Sequence, residues 1–322
     1  MQQDISQPRE DRSYLIAIVT LCIALLSISF APIFIRFSET ELGANATVFN
    51  RLFIFVMIFG VGRAVGQRFS KEPEVSDQAP LTLQQWLLLM SVGIISIISL
   101  GLWAISLEYT TVAKCMLLNN LTPLFTSLGS LLFLGKRFDA KFMIGMTLAL
   151  SGAIALGLED LNGAEGFLIG DIYALLSAVF LGTYFLIIEQ LRNRFSATTI
   201  LLWRGAIGSL LLLPVVAITE GQLFPTSKVA ILAVLGLGLL CEGFGQRLLA
   251  DCMDKLSSSF VALFLLLEPI VSALLAWVIF LERLSPITWV GFAVVLTGIY
   301  LARSSNAATQ ELTDAKVQAP IS

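Results

Sequence analysis

Apolar residues run along this chain in stretches separated by short polar turns. Each stretch is near the ~20 residues that carry a helix across about 30 Å of hydrocarbon. The pattern predicts ten spans, at 14–37, 46–66, 84–107, 112–134, 140–158, 167–190, 198–218, 228–250, 256–281 and 285–302. The polar segments of any length are 1–13, 70–83 and the tail after residue 303, which read as solvated ends and one loop. No soluble domain fits between the spans. The first stretch is longer than the apolar region of a signal peptide, and no small-residue cleavage site follows it before the next span. It is expected to remain in the mature protein.

The chain also repeats itself. An offset of 146 residues places Pro123 on Pro269, Arg137 on Arg283, Gly145 on Gly291 and Gly152 on Gly298, without a gap across spans three to five and eight to ten. Near the start of each half the offset is 150, and Ala24-Leu25-Leu26-Ser27 falls on Ala174-Leu175-Leu176-Ser177. The unit is five helices, and because five is odd the second copy enters the membrane upside down. The expected fold is an all-α membrane protein, ten transmembrane helices as two inverted five-helix repeats. Its parts are a tail at 1–13, a first repeat at 14–158, a second at 166–302 and a tail at 303–322.

Charge sets the orientation. Most Lys and Arg, including Arg63, Lys136, Arg137, Arg192, Arg194 and Arg247, fall on the side of the N-terminus, with Arg36, Lys114, Lys228 and Arg283 opposite. Cytoplasmic loops hold the excess of such residues, so both termini are expected in the cytoplasm of a multi-pass protein, with a bacterial inner membrane the natural setting. Only 13% of residues are charged and the net charge is −3, which points to no nucleic-acid partner. Cys22, Cys115, Cys241 and Cys252 have no paired spacing and read as packing residues, and there is no histidine. No disulfide framework, metal site or cofactor is expected.

The candidate chemistry lies where polar groups interrupt the spans. Proline inside a helix removes a hydrogen bond, so Pro123 and Pro269 should weaken two spans at matched, mid-depth positions, and Pro32 pairs with Gly182 in the same way. Interruptions at corresponding places of two inverted halves point to a transporter's binding site, although prolines also bend helices for packing alone. Glu268 must face a partner or a water-filled cavity; it could bind a substrate ammonium, couple a proton, or serve as a structural carboxylate. Glu242 and Gln246, four apart, share a face of span eight with Gly238 a turn earlier. Asn119, Thr122, Thr126 and Ser130, with Asn120 beside them, form a second polar stripe on span four. Each stripe could line a pocket or bond another helix. Arg51 and Arg204 hold roughly equivalent places in spans two and seven and need a carboxylate or carbonyls if buried, or snorkel if near the interface. Trp103, Tyr184, Trp203, Phe260, Phe264 and Trp277 could wall a pocket or form interface belts. Gly62 and Gly66, and Gly291 and Gly298, suit close helix approach.

Ser29-Phe30-Ala31-Pro32-Ile33-Phe34-Ile35-Arg36, Asn50-Arg51-Leu52-Phe53 and the run from Ala250 to Glu282, containing Leu267-Glu268-Pro269 and Phe280-Leu281-Glu282, carry a family resemblance. The chain resembles the drug/metabolite transporter superfamily, in particular proteins with two EamA repeats, over roughly residues 14–302. The resemblance implies a substrate pathway enclosed by both halves, alternating access, and export of amino acids or other metabolites. The first repeat has Thr122-Pro123 where the second has Glu268-Pro269, which leaves the substrate open. The expected function is secondary transport of a small organic, amino-acid-like solute, with the lipid bilayer as the other partner and a monomer or homodimer as the unit. Coupling to a proton through Glu108, Glu242 or Glu268, to sodium, or by exchange are all compatible with the sequence. A passive channel would not accumulate solute. A membrane-embedded enzyme lacks any histidine-based, zinc or phosphate-loop motif here.

Overall fold

The computed structural model describes residues 7–63, 82–109, 115, 118–159, 168–280 and 286–305, and all regular elements among them are helical. The first apolar stretch folds as α1 (Gln7–Ser29) and α2 (Ala31–Ser38), and the second as α3 (Ala44–Phe55) prolonged by a π-helical turn, Val56–Gly60. Next come α4 (Leu83–Tyr109), α5 (Thr122–Phe133), α6 (Ala140–Glu159), α7 (Leu168–Arg192) and α8 (Ala197–Thr219). The eighth stretch is α9 (Lys228–Gly236), a π-helical section (Leu237–Gln246) and α10 (Arg247–Cys252). The ninth is α11 (Ser258–Phe264), a 3-10 turn (Leu265–Leu267) and α12 (Glu268–Phe280), and α13 (Pro286–Arg303) follows. Of the residues singled out above, Gly66, Lys114, Leu281, Glu282 and Arg283 lie outside the described residues, as do the side chains of Glu108 and Phe280.

Among the described residues, seven segments are long and apolar enough to cross a membrane: Tyr14–Ser38, Ala44–Arg63, Leu83–Ser106, Leu168–Arg192, Ala197–Thr219, Lys228–Cys252 and Ser258–Ile279. Thr122–Phe133, Ala140–Ala155 and Trp289–Arg303 are shorter apolar helices. Ile218, Phe133, Leu83 and Leu168 leave most of their side chains on the exterior. Such a surface suits lipid, where backbone groups must be satisfied inside helices. The molecule is an all-α, multi-pass membrane protein.

The prolines break the spans differently from the expectation of interior kinks. Pro32 and Pro123 sit in the first turns of α2 and α5, and Pro269 is the second residue of α12. In each case the α-helix stops before the proline, at Phe30, at Asn120-Leu121 and at the 3-10 turn Leu265–Leu267, and then restarts. The missing N–H costs nothing in a first turn, where it would lack an intrahelical partner anyway, so a helix restart is the low-energy place for the ring. Gly182 does not interrupt its span, because α7 runs through it. It permits close approach instead: a Cβ there would lie 3.0 Å from the backbone nitrogen and Oγ1 of Thr126 on α5.

Helices at equivalent places in the sequence repeat pack on one another. A Cβ on Gly145 of α6 would lie 2.6 Å from the carbonyl oxygen of Gly298 and from the nitrogen of Ala302 on α13. On Gly152 it would lie 3.1 Å from the carbonyl oxygen of Gly291. As α6 ascends from 145 to 152 its partner descends from 302 to 291, so the two run antiparallel. Small residues let their backbones meet, as membrane helices without a hydrophobic driving force require. Ser99 of α4 and Ser177 of α7 exchange hydrogen bonds to each other's carbonyls at 2.9 and 2.8 Å. A buried apolar core containing Leu21, Leu89, Phe142, Ile188, Leu249 and Phe260 joins helices of both halves.

Candidate functional site

The π-helical section builds the centre. A π turn bonds residue i to i+5 and is rare enough that its presence usually marks a functional place. Here its glycines dock directly on neighbouring helices: a Cβ on Gly238 would lie 3.3 Å from the Arg51 carbonyl oxygen, and those on Gly243 and Gly245 would strike Phe59 and Ile28. The close seam carries Glu242, whose side chain has no exposed surface, against Arg51 of α3. Arg51 Nε donates to Glu242 Oε2 at 2.7 Å, and Arg204 Nη1 of α8 donates to the other oxygen, Oε1. Arg204 Nε also donates to Ser96 Oγ of α4 at 2.8 Å, and its guanidinium lies 5.1 Å from the ring centroid of Tyr184 on α7. One carboxylate thus ties together charged residues from both halves. Neither arginine snorkels; each spends its charge on Glu242, because a buried guanidinium without an anion is costly in a membrane interior.

Glu268, at the restart of α12, is half-buried and has Arg51 as its charged neighbour. Among the described residues nothing donates a hydrogen bond to it. Among the described residues the Tyr184 hydroxyl and Asn119 Oδ1 are buried without a partner, as are Arg192 Nε, Ser209 Oγ and Ser258 Oγ. Buried polar atoms are paired in the great majority of cases, so such orphans call for a reason. Asn120 is half-buried in the turn before α5, while Thr122 and Pro123 are buried.

Other residues of the sequence reading fall outside this cluster. The hydroxyls of Thr122 and Thr126 bond their own backbone, to the carbonyls of Asn119 and Thr122 at 2.6 and 2.9 Å, so they neither glue helices nor offer donors. Ser130 does reach another helix, 3.0 Å from Ser259 Oγ on α11. Gln246 is half-buried and Pro269 is exposed. Trp103 is half-buried on α4, and its carbonyl accepts from Ser106. Phe264 packs with Phe260 in the apolar core. Trp203 meets Trp86 edge-on, and Trp277 faces outward against Trp289. A surface groove of about 340 Å³ on α6, lined by Met143, Ile144, Thr147, Leu148 and Ser151, is open and apolar and lies on a different helix from the charges.

Two clasps that the sequence reading missed close the ends of the bundle. At the end where α8 finishes, Glu220 accepts from the backbone nitrogens of Asn45 and Ala46 at 2.9 Å, at the start of α3. There Glu41 accepts from the nitrogens of Thr226 and Ser227 at 2.6 and 2.9 Å, just before α9. Carboxylates suit helix N-termini, where free N–H groups and the dipole favour negative charge. At the end where α8 begins, arginines hold the matching places: Arg63 donates to Thr199 Oγ1 at 2.8 Å and Arg194 to Gln85. The same end carries buried Glu189, which takes Lys136 as its ion pair and accepts from the Ser258 nitrogen at 2.8 Å.

Hydrogen bonds from Ser227 and Thr226 hold the Glu41 carboxyl at about 2, well below its ordinary 4.5. A depressed carboxyl adds stability above its unfolded value and loses it as pH falls through the folded one. The difference in melting temperature between the protein and Glu41→Ala should therefore be constant above pH 5 and vanish between pH 4.5 and about 2. A difference that grows on acidification would contradict this.

Residues 15–158 and 168–304 each match the EamA-like transporter family. An uncharacterized transporter of Archaeoglobus fulgidus is 25% identical over 215 residues, 65% of this chain and 66% of that protein. A probable terminal-alkyne amino-acid exporter of Streptantibioticus cattleyicolor is 29% identical over 189 residues, 58% of this chain and 62% of that protein. The chain thus spans just under two thirds of the length of these relatives. A solved crystal structure, 20% identical, superposes with a TM-score of 0.71 over 89% of this chain and 96% of its own, and has the same fold. With the family pattern matched twice, once in each half, this chain belongs to the EamA-like transporter family.

Proposed function

We propose that the protein is a secondary transporter that moves an amino-acid-like solute, by export, through a path between two inverted five-helix repeats at 14–158 and 166–302. In this reading ten spans cross a bacterial inner membrane with both termini in the cytoplasm. The antiparallel meeting of α6 with α13 through Gly145, Gly152, Gly291 and Gly298 supports the inversion. Lys136, Arg63 and Arg194 gathered at one end of the bundle support the orientation. The three shorter apolar helices take the places of spans four, five and ten.

The observation that carries the proposal is the central charge cluster. Charged groups inside a membrane protein are expensive and usually mark a substrate or ion path. Here Arg51, Arg204 and Glu242 come from both repeats, and Arg51 also has Glu268 as a charged neighbour, a carboxylate without a hydrogen-bond partner among the described residues. Glu242 and Tyr184 are buried, whereas Arg51 and Glu268 keep part of their surface open, so the buried carboxylate anchors a cluster that a solute could still reach. No enzymatic step is assigned to it.

Proteoliposomes containing the wild type and Glu268→Gln, assayed with an amino-acid panel with and without a pH gradient, test this. The wild type should accumulate at least one amino acid and show counterflow. Glu268→Gln should lose about tenfold to a hundredfold in rate, the value of a charge-assisted hydrogen bond of about 1.5–3 kcal/mol. Equal transport by both would remove Glu268 from the mechanism. Flux without accumulation or counterflow for every solute would make the protein a passive facilitator.

A further inference from the structure

The two central arginines are committed to different degrees. Arg204 is used on three sides: Nε on Ser96, Nη1 on Glu242 and its plane against Tyr184. Arg51 gives only Nε to Glu242, and among the described residues its terminal nitrogens Nη1 and Nη2 have no partner. Its side chain keeps 18% of its surface exposed, whereas Glu242 keeps none. Both Glu242 oxygens are already taken by arginines, so this carboxylate leaves the free end of Arg51 unused. A guanidinium presents paired N–H groups in a fixed planar fork that fits a carboxylate bidentately, and an ammonium cannot do this.

The charges around that fork restrict what it can take. Arg51 and Arg204 contribute two positive charges, and Glu242 and Glu268 two negative ones, so the ionised cluster is neutral. A zwitterion leaves it neutral, whereas an amine or an anion brings an uncompensated charge into the membrane interior. Glu268 has Arg51 as its charged neighbour without forming an ion pair with it, and among the described residues it has no hydrogen-bond donor. The Tyr184 hydroxyl, buried and without a partner among the described residues, lies in the field of Arg204, Glu242 and Arg51.

Resting on the transporter reading above, we propose that the free end of Arg51 is the carboxylate subsite of the transported solute and that Glu268 beside it takes the solute's ammonium group. The site then selects free amino acids over their amides, their decarboxylated amines and their N-acyl derivatives. Arg204, held by Ser96 and Tyr184, positions Glu242 and does not touch the solute.

The test measures counterflow of labelled L-leucine, L-phenylalanine and L-threonine in proteoliposomes, with each free amino acid, amide, amine and N-acetyl derivative as competitor. A thermal-shift assay of the purified full chain with the same compounds gives a readout independent of flux. In the wild type the free acids should compete about tenfold to a hundredfold better than the amides and amines. Arg51→Lys should reduce the preference for acid over amide to within about twofold while leaving the preference for a free over an acetylated amine. Glu268→Gln should do the converse. Amides that compete as well as acids in the wild type overturn the carboxylate subsite and leave a transporter of another solute. Failure of the wild type to bind or exchange any of the amino acids overturns both the subsite and the amino-acid reading. The wild-type comparison decides the matter even if Arg51→Lys does not fold.

Discussion

Glu242→Gln is expected to be the most damaging single replacement in the protein. It leaves two largely enclosed arginine side chains, on α3 and α8, without the anion they share. Breaking a buried ion pair by removing one partner costs about 3–5 kcal/mol, since the remaining charge stays uncompensated in a poorly polarisable interior. The variant should melt far below the wild type in detergent, or fail to elute as a single species. Removing one cation as well, in Glu242→Gln with Arg204→Gln, should recover part of the loss, because the two positions act as one network and their effects do not add. A melting temperature for Glu242→Gln within a degree or two of the wild type would mean that the arginines have another counter-charge.

The second large effect is on transport. Ser130 of α5 and Ser259 of α11 are buried with their hydroxyls 3.0 Å apart, at the end of the bundle where Lys136 meets Glu189. Cysteines at both positions, in a background without Cys22, Cys115, Cys241 and Cys252, should be near enough to join by a disulfide after a small adjustment. The helices α5 and α11, one from each family-matched half, would then be fixed together at that end. If access alternates by one repeat moving against the other, oxidation should abolish counterflow and reduction should restore it. Undiminished counterflow by fully cross-linked protein would show that this end does not open.

Much of the fold was legible because membrane helices announce themselves by length and apolarity, and the residues that mark the repeat could be matched from the sequence alone. Gly145 and Gly291, and Gly152 and Gly298, were visible as a repeat, but that Gly145 meets Gly298 and Gly152 meets Gly291 came from the structure. Pro123 and Pro269 marked real interruptions. Their place in first turns was missed because a proline's effect was judged against a continuous helix, whereas here the chain breaks before the ring. The ten-residue π-helical section that aims Glu242 left no trace in local periodicity, since its distinction from an α-helix lies in hydrogen-bond register.

The candidate site was less legible, for a reason of distance along the chain. Glu242 meets Arg51 across 191 residues and Arg204 across 38, and hydropathy and helical spacing report only near neighbours. The sequence supplied the need, two arginines within spans, but not the partner. Glu189 gave an equally plain signal, an acidic residue inside span six, and went unread; it pairs with Lys136 from the other repeat. Glu41 and Glu220 lie in short loops, where charge is ordinary, so their role at helix starts needed coordinates.

The central claim is that one polar path between the repeats opens in turn to each face of the membrane. Asn119, half-buried just before the break that precedes α5 and with an Oδ1 that has no partner among the described residues, offers the most direct probe of it. In proteoliposomes of known orientation, a lone cysteine in place of Asn119 should react with a membrane-impermeant thiol reagent added from either side, and transported solute should slow both reactions. Labelling from one side only, or from neither while the protein still transports, would contradict the account.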